Sequence, residues 1–359
     1  MYTAKLKTVG KIFRLPGTLY SYNPIANGNI NKTFKVDYIQ SDGDIKSYLF
    51  QIINTYVFKN PAQIMENIDR VTRHISEKND GGVCLHFHHT EDGANYYLCG
   101  ENECWRIMNY VDSVTYNSSD DLTVVRYTGE AFGRFQTQLS DFDASLLYET
   151  IPDFHNTKKR LDKLFADADE DPVGRVESVR EELDYIKSVA EYAEQLTDMF
   201  EKGMFPPRVT HNDTKSNNVL FDRRTKKPLV VIDLDTVMPG MAMYDFGDAV
   251  RFAANTAEED EPDTDKVGLD LEKFRAFAEG YIPFVRDSLT PLEVDSMVLG
   301  AFSITIELAS RFLDDYITGD KYFKTNYENH NLVRTRCQLK LAQDMYAKRE
   351  QMSDILRSI

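Results

Sequence analysis

Val209-Thr210-His211-Asn212-Asp213-Thr214-Lys215-Ser216-Asn217-Asn218-Val219-Leu220 is followed, after a turn, by a second apolar run ending in acids, Val230-Val231-Ile232-Asp233-Leu234-Asp235. Asn218 lies five positions after Asp213, and Asp233 twenty. Phosphoryl transfer uses such parts: a carboxylate to orient and deprotonate a hydroxyl, and an Asn and an Asp to hold magnesium on a triphosphate. An isolated loop Asp usually closes an Asx-turn or caps a helix. Here His211 stands two residues before it and Asn218 five after it, between apolar strands, and the set predicts a small-molecule kinase. Asp213 is the expected base, aiming the attacking hydroxyl at the γ-phosphate. Asn218 and Asp233 are the expected oxygen ligands of Mg2+, with phosphates and water completing the octahedron. Asp235 is either a further ligand or an acceptor behind the ligands. His211 is expected to be structural, its ring bonding loop carbonyls.

Asp245-Phe246-Gly247 spells the magnesium motif of protein kinases but lies beyond Pro239-Gly240 and runs straight into Asp248-Ala249-Val250-Arg251. Asp233, at the end of an apolar strand, is better placed, so Asp245 is read as a loop-anchoring acid. Upstream, Asn27-Gly28-Asn29-Ile30-Asn31-Lys32-Thr33 precedes a strand and can set backbone N–H groups over phosphates, although it matches no Gly-rich phosphate motif. Gly28 and Asn31 are the nucleotide-binding candidates there.

Around these motifs the chain divides into a strand-rich front, residues 1–112, and a larger helical body, 113–359. Phe34–Ile39 alternates and ends at Ser41-Asp42-Gly43-Asp44, a turn signal. Tyr48–Ile53 resumes as a strand. Asn60-Pro61 opens a helix with Ile64, Ile68, Val71 and Ile75 on one face. Further strands are expected at Val83–His89, Asn95–Cys99 and Glu103–Val111. The last reads as an edge strand running out into a hinge at about 107–112, where the backbone of Met108 and Tyr110 could pair with a purine. Helices are expected at Gly129–Leu139, Val173–Phe200, Leu271–Phe284, Pro291–Tyr316 and Asn331–Ile359. The fold class expected is α+β and bilobal, protein-kinase-like.

The 359 residues suffice for two lobes and a large core. A formal net charge of −16 disfavours nucleic acid and anionic membrane as partners. Cys84, Cys99, Cys104 and Cys337 have no zinc-site spacing and suit a reducing cytoplasm. Lys5, Lys7, Lys11 and Arg14 interrupt any signal-peptide core, and the longest apolar stretch, Met297–Leu308, is too short to span a bilayer. A cytoplasmic monomer is expected.

His211-x-Asp213-x4-Asn218 followed by Ile232-Asp233 resembles the aminoglycoside-phosphotransferase and choline-kinase-like family of kinase-like folds. Longer strings resemble its sugar-kinase branch, the bacterial N-acetylhexosamine 1-kinases. They are Arg208–Lys215, Ile232–Thr236, Asp245–Asp248, Asn331–Arg336, Phe142–Ser145, and Arg311-Phe312-Leu313 with Gly319–Phe323. The resemblance implies ATP, magnesium, and phosphate placed on the anomeric hydroxyl of N-acetylglucosamine or N-acetylgalactosamine. It also implies Arg311 and Tyr322 as sugar contacts, and it brings Asn29 into the loop that approaches phosphate and sugar. The strand expected to carry a phosphate-binding Lys reads Tyr48-Leu49-Phe50-Gln51, so Gln51 occupies that place and cannot supply the charge. The partner of Glu66 or Asp69 on the following helix is thereby left open. The competing readings are a same-fold kinase of choline, an aminoglycoside or a hexose, and a nucleotide-binding regulator without catalysis.

Overall fold

The computed structural model describes residues 2–25, 30–78, 81–100 and 103–359. The chain packs as two compact units: Met1–Val114 with Ser145–Ile151 and Ile232–Met238, and Thr115–Ala144 with Pro152–Val231 and Pro239–Ile359.

The first unit contains helix α1 (Thr3–Ile12), strands β1 (Thr18–Ile25), β2 (Lys32–Ile39) and β3 (Ile45–Ile53), helix α2 (Pro61–Glu77), and strands β4 (Tyr97–Cys99) and β5 (Glu103–Asn109). The strands form one antiparallel sheet in the order β1-β2-β3-β5-β4. Alternation sends Phe34, Val36 and Tyr38 to the same face as Tyr48, Phe50 and Ile52, with Phe34 opposite Phe50 and Val36 opposite Tyr48. Leu6 and Val9 of α1 pack on this face. Gly10 lets α1 lie close, since a Cβ there would sit 1.9 Å from the Tyr38 hydroxyl. The side chain of Asn67 on α2 stitches the separate segments of this unit together. It donates to Tyr148 O (2.8 Å) and Val237 O (3.0 Å) and accepts from Tyr148 N (2.9 Å).

Two expectations for this unit fail. Residues 83–89 form no strand; Phe87 makes an isolated bridge to Met108. Beyond that bridge the Asn109 side chain ends the ladder, accepting from His86 N (2.7 Å) and donating to Cys84 O (3.3 Å). Nor is 107–109 an edge. It lies between β3 and this segment, whose His88 N donates to Ile107 O and whose His86 O accepts from Asn109 N. The chain leaves the sheet only at Tyr110.

The second unit holds α3 (Leu122–Gln138), α4 (Thr157–Glu170), α5 (Arg180–Ala193), α6 (Gln195–Glu201), strands β6 (Arg208–Thr210), β7 (Val219–Phe221) and β8 (Pro228–Val231), and helices α7 (Ala242–Ala253), α8 (Leu271–Val285), α9 (Pro291–Asp295), α10 (Met297–Ile317) and α11 (His330–Ser358). The helix expected at 173–200 begins late, because the Asp171 carboxylate accepts from Arg175 N and Val176 N and holds a turn there. It is divided at Glu194. The helix expected from Pro291 divides at Ser296, after a capping box in which Thr290 and Glu293 bond each other's backbone.

Close helix crossings depend on glycines. A Cβ on Gly280 of α8 would lie 2.0 Å from Arg126 O of α3, and one on Gly129 would lie 2.2 Å from Phe277 O. Backbone cannot yield as a side chain can, so Gly280→Ala is expected to lower stability by about 2 kcal/mol through overpacking, read as a lower urea midpoint at unchanged m-value. The Asp245-Phe246-Gly247 string lies inside α7. Phe246 is enclosed by Phe274, Phe277 and Tyr281 at 5.3–6.1 Å, and a Cβ on Gly247 would meet Gly300 O of α10 at 2.6 Å.

Candidate active site

In the second unit, strand β6 feeds the loop 211–218, whose backbone N–H groups at 211–214 and 218 are all bonded. Asp245, buried in the first turn of α7, accepts from His211 N (2.7 Å) and Asn212 N (2.8 Å). Thr214 donates its hydroxyl to Asp245 O (2.7 Å) and its N–H to the Asp248 carboxylate (3.0 Å). Asp248 pairs with Arg251, which also holds Glu259 (2.7 Å) and Gln338 (3.2 Å). Burial pushes both carboxyl groups upward. At Asp248 the neighbouring Arg251 and Lys215 charges outweigh it and leave the group below its ordinary range, whereas Asp245 stays raised. His155 bridges Asn212 O (3.3 Å) to the buried Glu307 (2.9 Å).

These anchors hold Asn212 at φ +64°, a left-handed conformation that Asn tolerates. His211 is fully buried, 5.7 Å from the rings of both Phe132 and Phe135, and its Nδ1 accepts the Asp213 N–H at 3.3 Å. That bond is to an amide donor.

Asp213 and Lys215 point outward while His211, Asn212, Thr214, Ser216 and Asn218 are buried. The Asp213 side chain keeps 30% exposure. Asn218 Nδ2 donates to Asp213 O (2.8 Å) and Oδ2 (3.1 Å), and Lys215 Nζ stands 3.2 Å from Oδ1. The Asp213 charge raises the Lys215 pKa. Asp213 is therefore a fixed, solvent-reachable carboxylate, and Lys215 is a cation beside it that the spacing argument passed over. Because the Asn218 amide nitrogen faces Asp213, its carbonyl oxygen, a hard donor, is turned away from that contact.

In the first unit, Asp233 follows the β7–β8 hairpin but stands two residues beyond the strand, exposed, at φ +62°. Strand β8 is only half-buried, with Val231 its one buried residue. Asp235 is buried and both its oxygens are engaged: Oδ1 pairs with Arg106, and Oδ2 accepts from Asn31 Nδ2 at 2.6 Å. The Asn31 side-chain oxygen in turn accepts from Asn54 N (2.9 Å), so both ends of its amide are engaged. Gln51 accepts from Arg106 Nε (2.9 Å) and donates to Thr33 Oγ1 (3.0 Å). The acids on α2 do not reach it: Glu66 pairs with Arg70, and Asp69 with Arg73 (2.5 Å). Met108 is buried in the sheet, and Tyr110 carries Lys35 Nζ 4.7 Å from its ring. Gly28 and Asn29 lie outside the described residues.

Magnesium takes hard oxygen donors. Asn218 in the second unit and Asp233 in the first each offer one, and among the described residues no three His, Cys, Asp or Glu side chains gather as a cluster.

Arg311 lies between the rings of Phe154 (5.3 Å) and Phe323 (5.7 Å), and Phe323 packs edge-on against Tyr322 (4.8 Å). Tyr322 is 70% exposed. The loop bearing it is built on Asp315, whose carboxylate accepts the N–H groups of Lys321 (2.8 Å), Tyr322 (2.7 Å) and Phe323 (2.9 Å) and the Asn331 amide (2.9 Å). No motif marks Asp315; its only signal is an acid on the buried side of α10, which also carries Glu307. In Asp315→Ala these three amides lose their acceptor, worth 1–3 kcal/mol each at about one tenfold step per 1.4 kcal/mol. Their hydrogen exchange is expected to accelerate at least about tenfold.

The sequence model of the phosphotransferase enzyme family matches residues 21–279. Among solved structures, a microcompartment-associated aminopropanol kinase is 14% identical over 98% of each chain, with a TM-score of 0.63. A spectinomycin phosphotransferase in complex with ADP and spectinomycin is 13% identical, covering 96% of this chain and 98% of that one, at 0.58. Choline kinase from Cryptosporidium parvum Iowa II is 13% identical over 99% of each, at 0.57. These likenesses give the fold: kinase-like and α+β, with a strand-rich N-terminal part and a mainly helical C-terminal part, as expected from the sequence.

Proposed function

We propose that this chain, which belongs to the phosphotransferase enzyme family, moves the γ-phosphoryl group of ATP to the anomeric hydroxyl of an N-acetylhexosamine such as N-acetylglucosamine or N-acetylgalactosamine. The observation that carries the phosphotransfer is the Asp213 carboxylate, part-exposed on a loop held from within by Asp245, Asp248 and Asn218. The choice of sugar is supported by the strings shared with the sugar-kinase branch, which include Arg311 and the Gly319–Phe323 loop.

In this reading Asp213 receives the proton of the sugar hydroxyl as its oxygen bonds to the γ-phosphorus. The bond from that phosphorus to the β–γ bridging oxygen breaks, and ADP leaves with the electron pair. Asn218 holds Asp213 in place through its amide nitrogen, and Lys215 supplies positive charge beside that carboxylate. Asn218 and Asp233 would each offer an oxygen donor to magnesium, which would neutralise phosphate charge. Arg311, fixed between two rings, orients the sugar together with Tyr322. A cation there disfavours choline and aminoglycosides, since bringing like charges together out of water is costly. The aminopropanol and choline kinases and the spectinomycin phosphotransferase that share the fold, by their names, all act on small molecules.

The test is ADP release with magnesium and ATP against N-acetylglucosamine, N-acetylgalactosamine, glucose, galactose, mannose, choline and kanamycin, with phosphorus NMR to place the new phosphate. Turnover confined to the N-acetylhexosamines, with phosphate on the anomeric oxygen, is expected. Turnover on another alcohol alone would remove the sugar assignment and leave the chemistry.

A further inference from the structure

Strand β3 presents the neutral Gln51 where a phosphate-binding Lys was expected, yet the neighbouring strand carries a buried cation. In the sheet register Thr33, Gln51 and Arg106 stand opposite one another on β2, β3 and β5. Their side chains form one polar row: Arg106 Nε donates to Gln51 Oε1 (2.9 Å), and Gln51 Nε2 donates to Thr33 Oγ1 (3.0 Å). The guanidinium is 2% exposed, lies over the Phe87 ring at 5.8 Å, and extends from the row to pair with Asp235. Asp235 lies in the short helical turn Leu234–Thr236, which begins at the left-handed Asp233.

We propose that Arg106 is a positioning residue that orders the metal-bearing turn through Asp235, and that Gln51 is an amide because it must hold Arg106. The inference rests on the reading of Asp233 as a magnesium donor. A residue forced into the left-handed region keeps it only when its surroundings fix it. Asp235 lies buried in the same turn, and its two oxygens are bound from β5 and from Asn31 just ahead of β2, which ties that turn to the sheet. Position 51 must accept a hydrogen bond from Nε while donating to Thr33. An amide does both, whereas a Lys has no acceptor and would set a second cation against the first. The Gln is thus the residue this arrangement requires, and the task of a Lys–acid pair passes to Arg106–Asp235.

The test uses the full chain, with ADP titrated by calorimetry in magnesium and in EDTA, and amide exchange followed in the nucleotide-free protein. Asp235→Asn and Arg106→Lys keep side-chain size close to the original. Each is expected to weaken ADP binding about 10–100-fold in magnesium, the scale for removing support behind a metal ligand, with little change in EDTA. Exchange at 233–236 should accelerate in both. Gln51→Lys gives the sharpest contrast: weaker magnesium-ADP binding is expected, whereas tighter binding would show that Gln51 is a simple loss of charge and overturn the proposal. Unchanged exchange at 233–236 in Asp235→Asn would overturn it as well. If the unaltered protein bound no magnesium-ADP while Asp235→Asn still accelerated exchange, the kinase reading would fall and the ordering role would stand.

Discussion

Asp213→Asn is expected to lower turnover by at least about a hundredfold, the scale of losing a general base, while leaving the melting temperature and magnesium-ADP affinity near those of the unaltered protein. The substitution keeps shape and removes both the charge and the proton-accepting capacity. Two donors converge on this carboxylate, Asn218 Nδ2 at 3.1 Å and Lys215 Nζ at 3.2 Å. An amide can offer its one oxygen to only one of them and must turn its own NH2 toward the other. At a buried site that conflict would cost stability. Here the side chain is 30% exposed and water can relieve it. The loop is held elsewhere, by Asp245, Asp248 and the inward amides, so its backbone has no reason to move. The measurement is ADP release at saturating substrate, paired with calorimetric ADP binding. A variant with full turnover would take the base role from Asp213. A variant that also lost nucleotide binding would show that the carboxylate contributes to the ground state, beyond proton transfer.

What the sequence disclosed depends on how local each cause is. Strands β2 and β3, their Asp42-Gly43 turn and helix α2 were legible because period-two and period-3.6 patterns sit wholly within those segments. Helix α1 was not read: lysines interrupt it, and it buries only Leu6, Val9 and Gly10. The apolar run at 83–89 misled because only two backbone bonds join it to 107–109, and the Asn109 side chain, more than twenty residues away, takes the next positions. The same division holds at the site. Asp213 and Asn218 declare themselves by a five-residue spacing and meet in the fold. Arg106 and Asp235 are 129 residues apart, and nothing in either neighbourhood announces the pair. Asp315 and Asp248 likewise read as ordinary helix acids until the backbone amides they hold are seen. The Asp245-Phe246-Gly247 string carries the opposite lesson. It matches a metal motif letter for letter, yet its three residues respectively anchor a loop, fill a core and allow a helix crossing.

That difference makes Asp245→Ala the most discriminating change to the scaffold. Its carboxylate is the acceptor for two buried backbone donors, His211 N at 2.7 Å and Asn212 N at 2.8 Å. Each buried N–H left without an acceptor costs about 1–3 kcal/mol, so the pair sets a loss of about 4 kcal/mol. Burial lifts the carboxyl pKa, which shows that placing this charge inside has its own cost and offsets part of that loss. The hydrogen bonds should still prevail, because the Asn212 conformation at φ +64° depends on them and would relax without them. Urea denaturation should therefore show a markedly lower midpoint, and amide exchange at 211–214 should rise toward the rate of global opening. Turnover should fall along with it, since the loop that aims Asp213 has lost its anchor. A metal ligand would behave differently: its removal would leave the loop's exchange and the denaturation midpoint nearly unchanged and abolish the magnesium dependence of ADP binding. If Asp245→Ala gave that second pattern, the carboxylate would be a metal donor after all, and the donor role proposed for Asp233 would have to be reassigned.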